Sequence, residues 1–295
     1  VSEETRLEKT LLIEEFVNEG RSESCPIIDM HGHYGPFSWI YMPNTDAESM
    51  IITMDRAGVK TLVCSSHHGL LVDTEKGNNI IRDLVIKYPR RFFGYLVINP
   101  YRPDLIENDL ENFHRETGFL GLKLWPDYHQ YPLTGERYIP ALEYANKNSL
   151  SVLIHTWGYS PFDGPELVEE IAGRYSEATL IMGHSGYGEW DRSIALAKNF
   201  KNVFLELTAV YATHEGIVLL WCPERDFGIG VNGIIEKMVN EAGSEKILFG
   251  TDLPWYSPHY AAGSVLFSNI SADDVHNIFH KNAEKIFQKQ GVELL

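Results

Sequence analysis

Short apolar runs alternate with longer amphipathic stretches along most of this chain. The runs are CPIIDMHGH, VKTLVCSS, FFGYLVINP, FLGLKLW, SVLIHTW, ATLIMGHS, NVFLELTA and KILFGTD. Most are nearly continuous in apolar residues, as expected of strands buried on both faces. Between them lie helix-like stretches such as AESMIITMDRAG, PELVEEIAGRYS and VNGIIEKMVNEAG. The opening residues, from about Ser2 to Glu19, predict a further helix, with Leu7, Leu11, Leu12, Phe16 and Val17 forming one apolar stripe and Gly20 as its stop.

Eight strands alternating with helices in a chain near 300 residues predict an α/β fold, a (β/α)8 TIM barrel with an N-terminal helical extension. Residues 1–24 would be the extension and 25–295 the barrel. An open doubly wound sheet is the alternative, but no glycine-rich fingerprint follows the first strand. The longest irregular stretch, AVYATHEGIVLLWCPERDFGIG, follows the seventh strand. It reads either as a cover over a pocket or as an additional surface helix.

In a barrel, chemistry collects at the carboxyl ends of the strands. The first run ends in His31-Gly32-His33, the fifth carries His155, the sixth His184 and the eighth Asp252. One HxH triplet means little in a chain with 12 histidines. Side-chain alternation adds that His31 and His33 leave one face together, with Ile27 and Asp29 expected beside them and Ile28 and Met30 opposite. Closure of the barrel would aim all five polar residues at one axis. Imidazole and carboxylate suit a divalent transition metal, with zinc as first choice and manganese, iron or cobalt as alternatives. Such an ion brings the pKa of bound water to about 7.

The net charge of −16 opposes nucleic acid and anionic membrane surfaces as partners. Cys25, Cys64 and Cys222 are too few and too scattered for a disulfide framework, which suggests a reducing, cytoplasmic compartment. No apolar run has membrane-spanning length, and VSEETRLEK lacks the core of a secretory signal. Because the chain does not begin with Met, a trimmed leader stays open.

The ordered set HGH, His155, His184 and Asp252 resembles the amidohydrolase superfamily. It is most similar to the amidohydrolase-related branch of decarboxylase-like proteins, relatives of aminocarboxymuconate semialdehyde decarboxylase. GLKLWPDYH after the fourth strand and SADDVHNIFHKNAEKIF near the end agree with that branch, so the resemblance spans roughly Cys25 to Gln288. It implies one metal on His31, His33, His155 and Asp252, with His184 beside it polarising substrate or orienting water. Asp252 would also shuttle the proton. In binuclear relatives a carbamylated fourth-strand lysine bridges two metals; Lys123 leaves that open, but one metal is preferred. Strand parity turns Lys123 toward the lumen, paired with Glu206 or Asp29 or contacting a substrate carboxylate.

Tyr34, Trp125, Trp157, Tyr187 and Trp255 crowd the strand ends as candidate substrate contacts, and Trp39, Tyr128 and Trp221 approach from loops. His67, His68, Asp127 and His129 read as solvated loop residues or substrate contacts. Arg102 and Arg192 read as surface ion pairs or anion anchors. The first functional reading is a metal-dependent hydrolase attacking an amide, ester or lactone of a small carboxylate-bearing or aromatic substrate. The alternative is nonoxidative decarboxylation of an aromatic or enoic acid, and a third is a non-catalytic metal- or ligand-binding barrel. A homo-oligomer is expected by resemblance alone.

Overall fold

A computed structural model describes residues 3–112, 118–210 and 233–292, with side chains from residue 7 onward. Eight parallel strands follow one another around the sheet in sequence order: β1 (Ile27–Tyr34), β2 (Val59–Ser66), β3 (Phe92–Val97), β4 (Phe119–Leu124), β5 (Ser151–Trp157), β6 (Thr179–Tyr187), β7 (Val203–Glu206) and β8 (Ile247–Leu248). Backbone hydrogen bonds from Met30 N to Phe249 O, Asp252 N to His31 O and His33 N to Leu253 O join the last strand region to the first and close the cylinder. All eight apolar runs are therefore strands of a (β/α)8 barrel, with helices such as Ala47–Arg56, Pro165–Arg174 and Ile234–Ala242 between them.

Two apolar layers hold it together. Outward-facing strand residues such as Leu62, Leu122, Val152, Leu180 and Leu205 pack under the helices. Ile28, Met30, Val63, Phe93, Tyr95, Leu120, Leu153, Ile181 and Leu248 pack together as the lumen, joined by Ala283, Ile286 and Phe287 of the helix Asn282–Gln288. That plug fills the amino-terminal end of the barrel and leaves the carboxyl end for a site.

The alternation expected along β1 breaks in its middle. The pairing of β1 with β2 shifts register between Asp29 and Gly32, so one extra residue stands in β1. Ile28 and Met30 consequently fill the lumen while Ile27 joins the outer layer, the reverse of the expected parity. After the bulge His31 and His33 turn inward and Gly32 turns out. A Cβ on Gly32 would stand 2.6 Å from Leu62 Cδ1, so the residue between the two histidines has no room for a side chain without displacing its neighbour. Asp29 is bonded to Thr251 Oγ1 and to the backbone N–H of His31 and Thr251, away from Lys123.

The first helix, α1 (Glu3–Glu19), buries Leu12 and packs Ile13 and Phe16 against the barrel. Leu7, Leu11 and Val17 are more than half exposed, so the expected stripe is only partly used. Among the described residues no helix is long and apolar enough to cross a membrane. Most of the long stretch after β7, with Trp221 and Cys222, lies outside the described residues.

Candidate active site

The five polar strand-end residues gather at the carboxyl end of the barrel. His33 Nε2 lies 2.8 Å from Asp252 Oδ1, and His31 Nε2 lies 3.3 Å from the same oxygen. Ligand atoms of His31, His33 and Asp252 all fall within 4.8 Å of one another. A second trio of the same compactness joins His31, His184 and Glu206. His155 belongs to neither; its Nδ1 lies 3.0 Å from His184 Nε2. The imidazoles thus form a chain, with ring centroids 5.3 Å apart from His33 to His31, 5.1 Å from His31 to His184 and 4.7 Å from His184 to His155.

Backbone conformation aims these groups. His184 (φ 65°), Ser185 (φ 51°) and Asp252 (φ 58°) all occupy the left-handed region, a cost of about 1–3 kcal/mol each. Local bonds offset it. Ser185 Oγ donates to Glu206 O, His184 N donates to Glu206 Oε2 and Asp252 N donates to His31 O. Sidedness here comes from turns at the strand ends as much as from strand alternation.

Burial keeps three of these imidazoles, His31, His155 and His184, neutral. Burial, then the neighbouring Lys123, holds His31 well below the usual histidine range, and burial brings His184 down to about 4. Burial alone would raise the Asp252 carboxyl, but His31, His33 and His184 around it hold it well below the ordinary range. Lone pairs and one ionised carboxylate are the donor set a divalent cation requires. His184 Nδ1 is buried with no hydrogen-bond partner, which is costly in the absence of a cation or substrate group.

Glu206 fixes the tautomer of His31. His31 Nδ1 donates to Glu206 Oε2 at 2.8 Å, which leaves the Nε2 lone pair facing Lys123 Nζ at 3.0 Å and Asp252. Lys123 is buried and points inward; its direct contact is this imidazole, where an ion pair with Glu206 or Asp29 or a substrate carboxylate was expected, and it is not among the described residues lining the cavity above. Burial brings its ammonium down to about 8, against the pull of Asp252 and Glu206.

Above these groups sits a cavity of about 190 Å³. His33, His155, His184 and Asp252 form its polar part, and Phe37, Trp125, Tyr128, Trp157, Trp255 and Tyr256 its walls, with His67 and Ala209. Trp125 stacks on Tyr128 with centroids 3.7 Å apart. Trp157 lies parallel to His155 and stacks on Tyr187, which supports the wall from behind. Tyr34 does not line the cavity: it packs in the outer layer, edge-on to Phe92. Phe37 and Tyr256 lie on loops and carry no periodic signal; only aromatic richness near strand ends points to them.

His67 is buried, where a solvated loop residue was expected. Its Nδ1 donates to Gly35 O at 2.8 Å, so its Nε2 accepts the Trp255 indole N–H at 3.0 Å. Its ring also stacks on His33. His129 is largely buried against Tyr138, and Asp127 accepts from Ser160 Oγ. Arg102 pairs with Asp104, and Arg192 with Glu169, at the surface.

Burial lowers the His67 pKa from 6.5 to about 3. The neutral ring's stabilisation is therefore complete above about pH 6.5 and is lost as the pH falls toward 3, because only the unfolded chain takes up the proton in that window. Between pH 7 and 4.5 the wild type should lose about 2–3 kcal/mol more stability than His67→Gln, which does not titrate. Urea unfolding at the two pH values measures the difference, and equal losses would show that His67 is not held neutral.

Comparison with known proteins adds to this geometry. The family model described as Amidohydrolase matches residues 28–289. A gamma-resorcylate decarboxylase from Polaromonas sp. strain JS666 is 22% identical over 282 residues, 82% of this chain and 83% of the relative. Among solved structures, a dihydroxybenzoic acid decarboxylase from Polaromonas sp. JS666, with manganese and the inhibitor 2-nitroresorcinol, aligns with a TM-score of 0.68 at 16% identity, covering 92% of this chain and 99% of that one. The 5-carboxyvanillate decarboxylase of Novosphingobium aromaticivorans, with manganese and a nitrobenzoic acid, gives 0.66 at 16% identity over 90% and 96%.

Proposed function

Since the chain belongs to the amidohydrolase family, we propose that it is a metal-dependent decarboxylase that removes CO2 from a hydroxylated benzoic acid. The observation that carries this reading is the aromatic-walled cavity set directly over the His33–Asp252 cluster. Its volume lies below the ~300–1,000 Å³ of drug-sized pockets, which favours a single ring. Similarity to decarboxylases of dihydroxybenzoate and carboxyvanillate supports the reaction class over the hydrolysis that the superfamily at large suggested.

His31, His33 and Asp252 would hold one divalent ion. His155, the fourth ligand implied by resemblance, would have to exchange its contact with His184 to join them. Manganese is preferred to zinc because the similar decarboxylases carry it. A bound ion would supply Lewis-acid polarisation of the substrate's carboxylate and phenolic oxygens. Trp125, Tyr128, Trp157 and Trp255 sandwich and orient the ring. An ionised Asp252 accepts the proton of the hydroxyl next to the carboxylate and delivers it to the ring carbon bearing that carboxylate. The new C–H bond uses ring π electrons. The C–C bond then breaks, its electron pair restores aromaticity, and CO2 departs. His184, with Nδ1 free, donates to or accepts from the substrate's oxygens. Lys123 beneath the cluster balances its negative charge.

The purified protein with Mn2+, offered 2,6-dihydroxybenzoate and related hydroxybenzoates beside lactones and esters, should release CO2 from one of the acids and hydrolyse none of the esters. Hydrolysis of a lactone or ester without CO2 release from any acid would overturn the proposal in favour of a hydrolase.

A further inference from the structure

A second donor cluster lies at the opposite end of the barrel. Cys25 is buried two residues before β1, and His276 and His280 stand one helical turn apart across the junction of Ala272–His276 with the π-helical turn Asn277–Lys281. Ligand atoms of all three lie within 4.8 Å of one another. His276 Nδ1 and His280 Nε2 face each other at 3.1 Å.

The far nitrogen of each ring is held by a carboxylate. His276 Nε2 lies 3.3 Å from Glu8 Oε1 of α1, and His280 Nδ1 lies 2.7 Å from Glu284 Oε1. A neutral imidazole carries one N–H. If each carboxylate takes that hydrogen, two lone pairs are left aimed at one another beside a thiol. Carboxylate–imidazole–cation is the usual arrangement around a metal-ligating histidine. Two nitrogens about 2.0–2.1 Å from a tetrahedral zinc stand about 3.3–3.4 Å apart, close to the spacing found.

We propose that Cys25, His276 and His280 form a second metal site, selective for zinc, with Glu8 and Glu284 orienting the two imidazoles and solvent completing the tetrahedron. A thiolate with two imidazoles favours zinc over the oxygen-loving ions. The site is separate from the catalytic one and joins three parts of the chain: α1 through Glu8, the start of β1 through Cys25, and the C-terminal helices through both histidines. Its place at the amino-terminal face of the barrel suits a role in stability.

Cobalt distinguishes this site from the catalytic one, because a thiolate–cobalt charge-transfer band in the near ultraviolet requires a sulfur ligand. No cysteine lines the cavity among its described residues, and Cys64 packs in the outer layer. Full-length protein stripped with a chelator and titrated with Co2+ should develop the band, retain it in Cys222→Ser and lose it in Cys25→Ser. Zinc should raise the melting temperature of the wild type and not that of Cys25→Ser. Glu284→Gln should weaken cobalt binding about 10–100-fold. If Cys25→Ser fails to fold, His280→Asn, at a partly exposed position, should weaken the band's titration at least as much as Glu284→Gln. Absence of the band in the wild type, its persistence in Cys25→Ser, or an unchanged titration in His280→Asn would overturn the site and leave a proton-sharing histidine pair.

Discussion

Replacing Asp252 with asparagine is expected to lower decarboxylation by about 10²–10⁴-fold, the range for a lost proton-transfer group, and to reduce the metal content per chain. The two losses come together because one carboxylate serves two purposes. Its Oδ1 stands 2.8 Å from His33 Nε2 and 3.3 Å from His31 Nε2, so it belongs to one of the two compact donor trios of the site. Asparagine keeps the shape but removes the charge that a cation needs and the basicity that a proton relay needs. His184→Asn should separate the two effects. His184 contacts His155 and the Glu206 carboxylate's neighbourhood, and it is not in the trio with His33 and Asp252. Metal per chain should stay near the wild-type value while kcat falls. Elemental analysis beside steady-state turnover reads both quantities. If His184→Asn emptied the site of metal, the ion would belong to the trio of His31, His184 and Glu206 instead.

The barrel was legible because each buried strand must be apolar on both faces, and that requirement writes itself into runs such as VKTLVCSS and SVLIHTW. The residues at the ends of those runs were legible for the same reason, since a polar group closing an apolar run stands out. Side-chain direction was not. The extra residue in β1 reverses the parity that strand geometry gives, so Ile28 and Met30 fill the lumen although both histidines point there too. A bulge arises from pairing with β2, and neither strand announces it alone. Tyr34 fails as a cavity residue on the same β1 edge, because it follows His33 and faces the outer layer. Loop aromatics such as Phe37 and Tyr256 reach the cavity through turns that no periodicity encodes. The buried His67 looked like loop polarity, since its partners, Gly35 and Trp255, are far away in sequence.

Glu206 was visible as a lone acid inside NVFLELTA, yet its function depends on contacts the sequence does not display. It is a carboxylate surrounded by donors: the His31 ring N–H and the His184 backbone N–H on Oε2, and the Thr208 backbone N–H and hydroxyl on Oε1. Enclosure is tight, since a Cβ on Gly250 would come within 1.9 Å of Oε1. Burial raises its pKa, against the opposing effects of His184 and Thr208. Glu206→Gln puts an NH2 group against two of those donors whichever way the amide turns. Each buried donor left unsatisfied costs about 1–3 kcal/mol, so the metal-free protein should lose about 2–4 kcal/mol in urea unfolding. A second effect concerns the metal. Without a carboxylate to hold its Nδ1 hydrogen, the His31 ring is free to carry that hydrogen on Nε2, the nitrogen turned toward Asp252 and Lys123. Metal affinity should then fall about 10–100-fold, as for other partners that orient a ligating histidine. Titrating the folded variant with Mn2+ separates this from the loss of stability. A destabilised Glu206→Gln protein that still binds manganese as the wild type does would make Glu206 a purely structural acceptor, and the tautomer of His31 would have to be set by Lys123 instead.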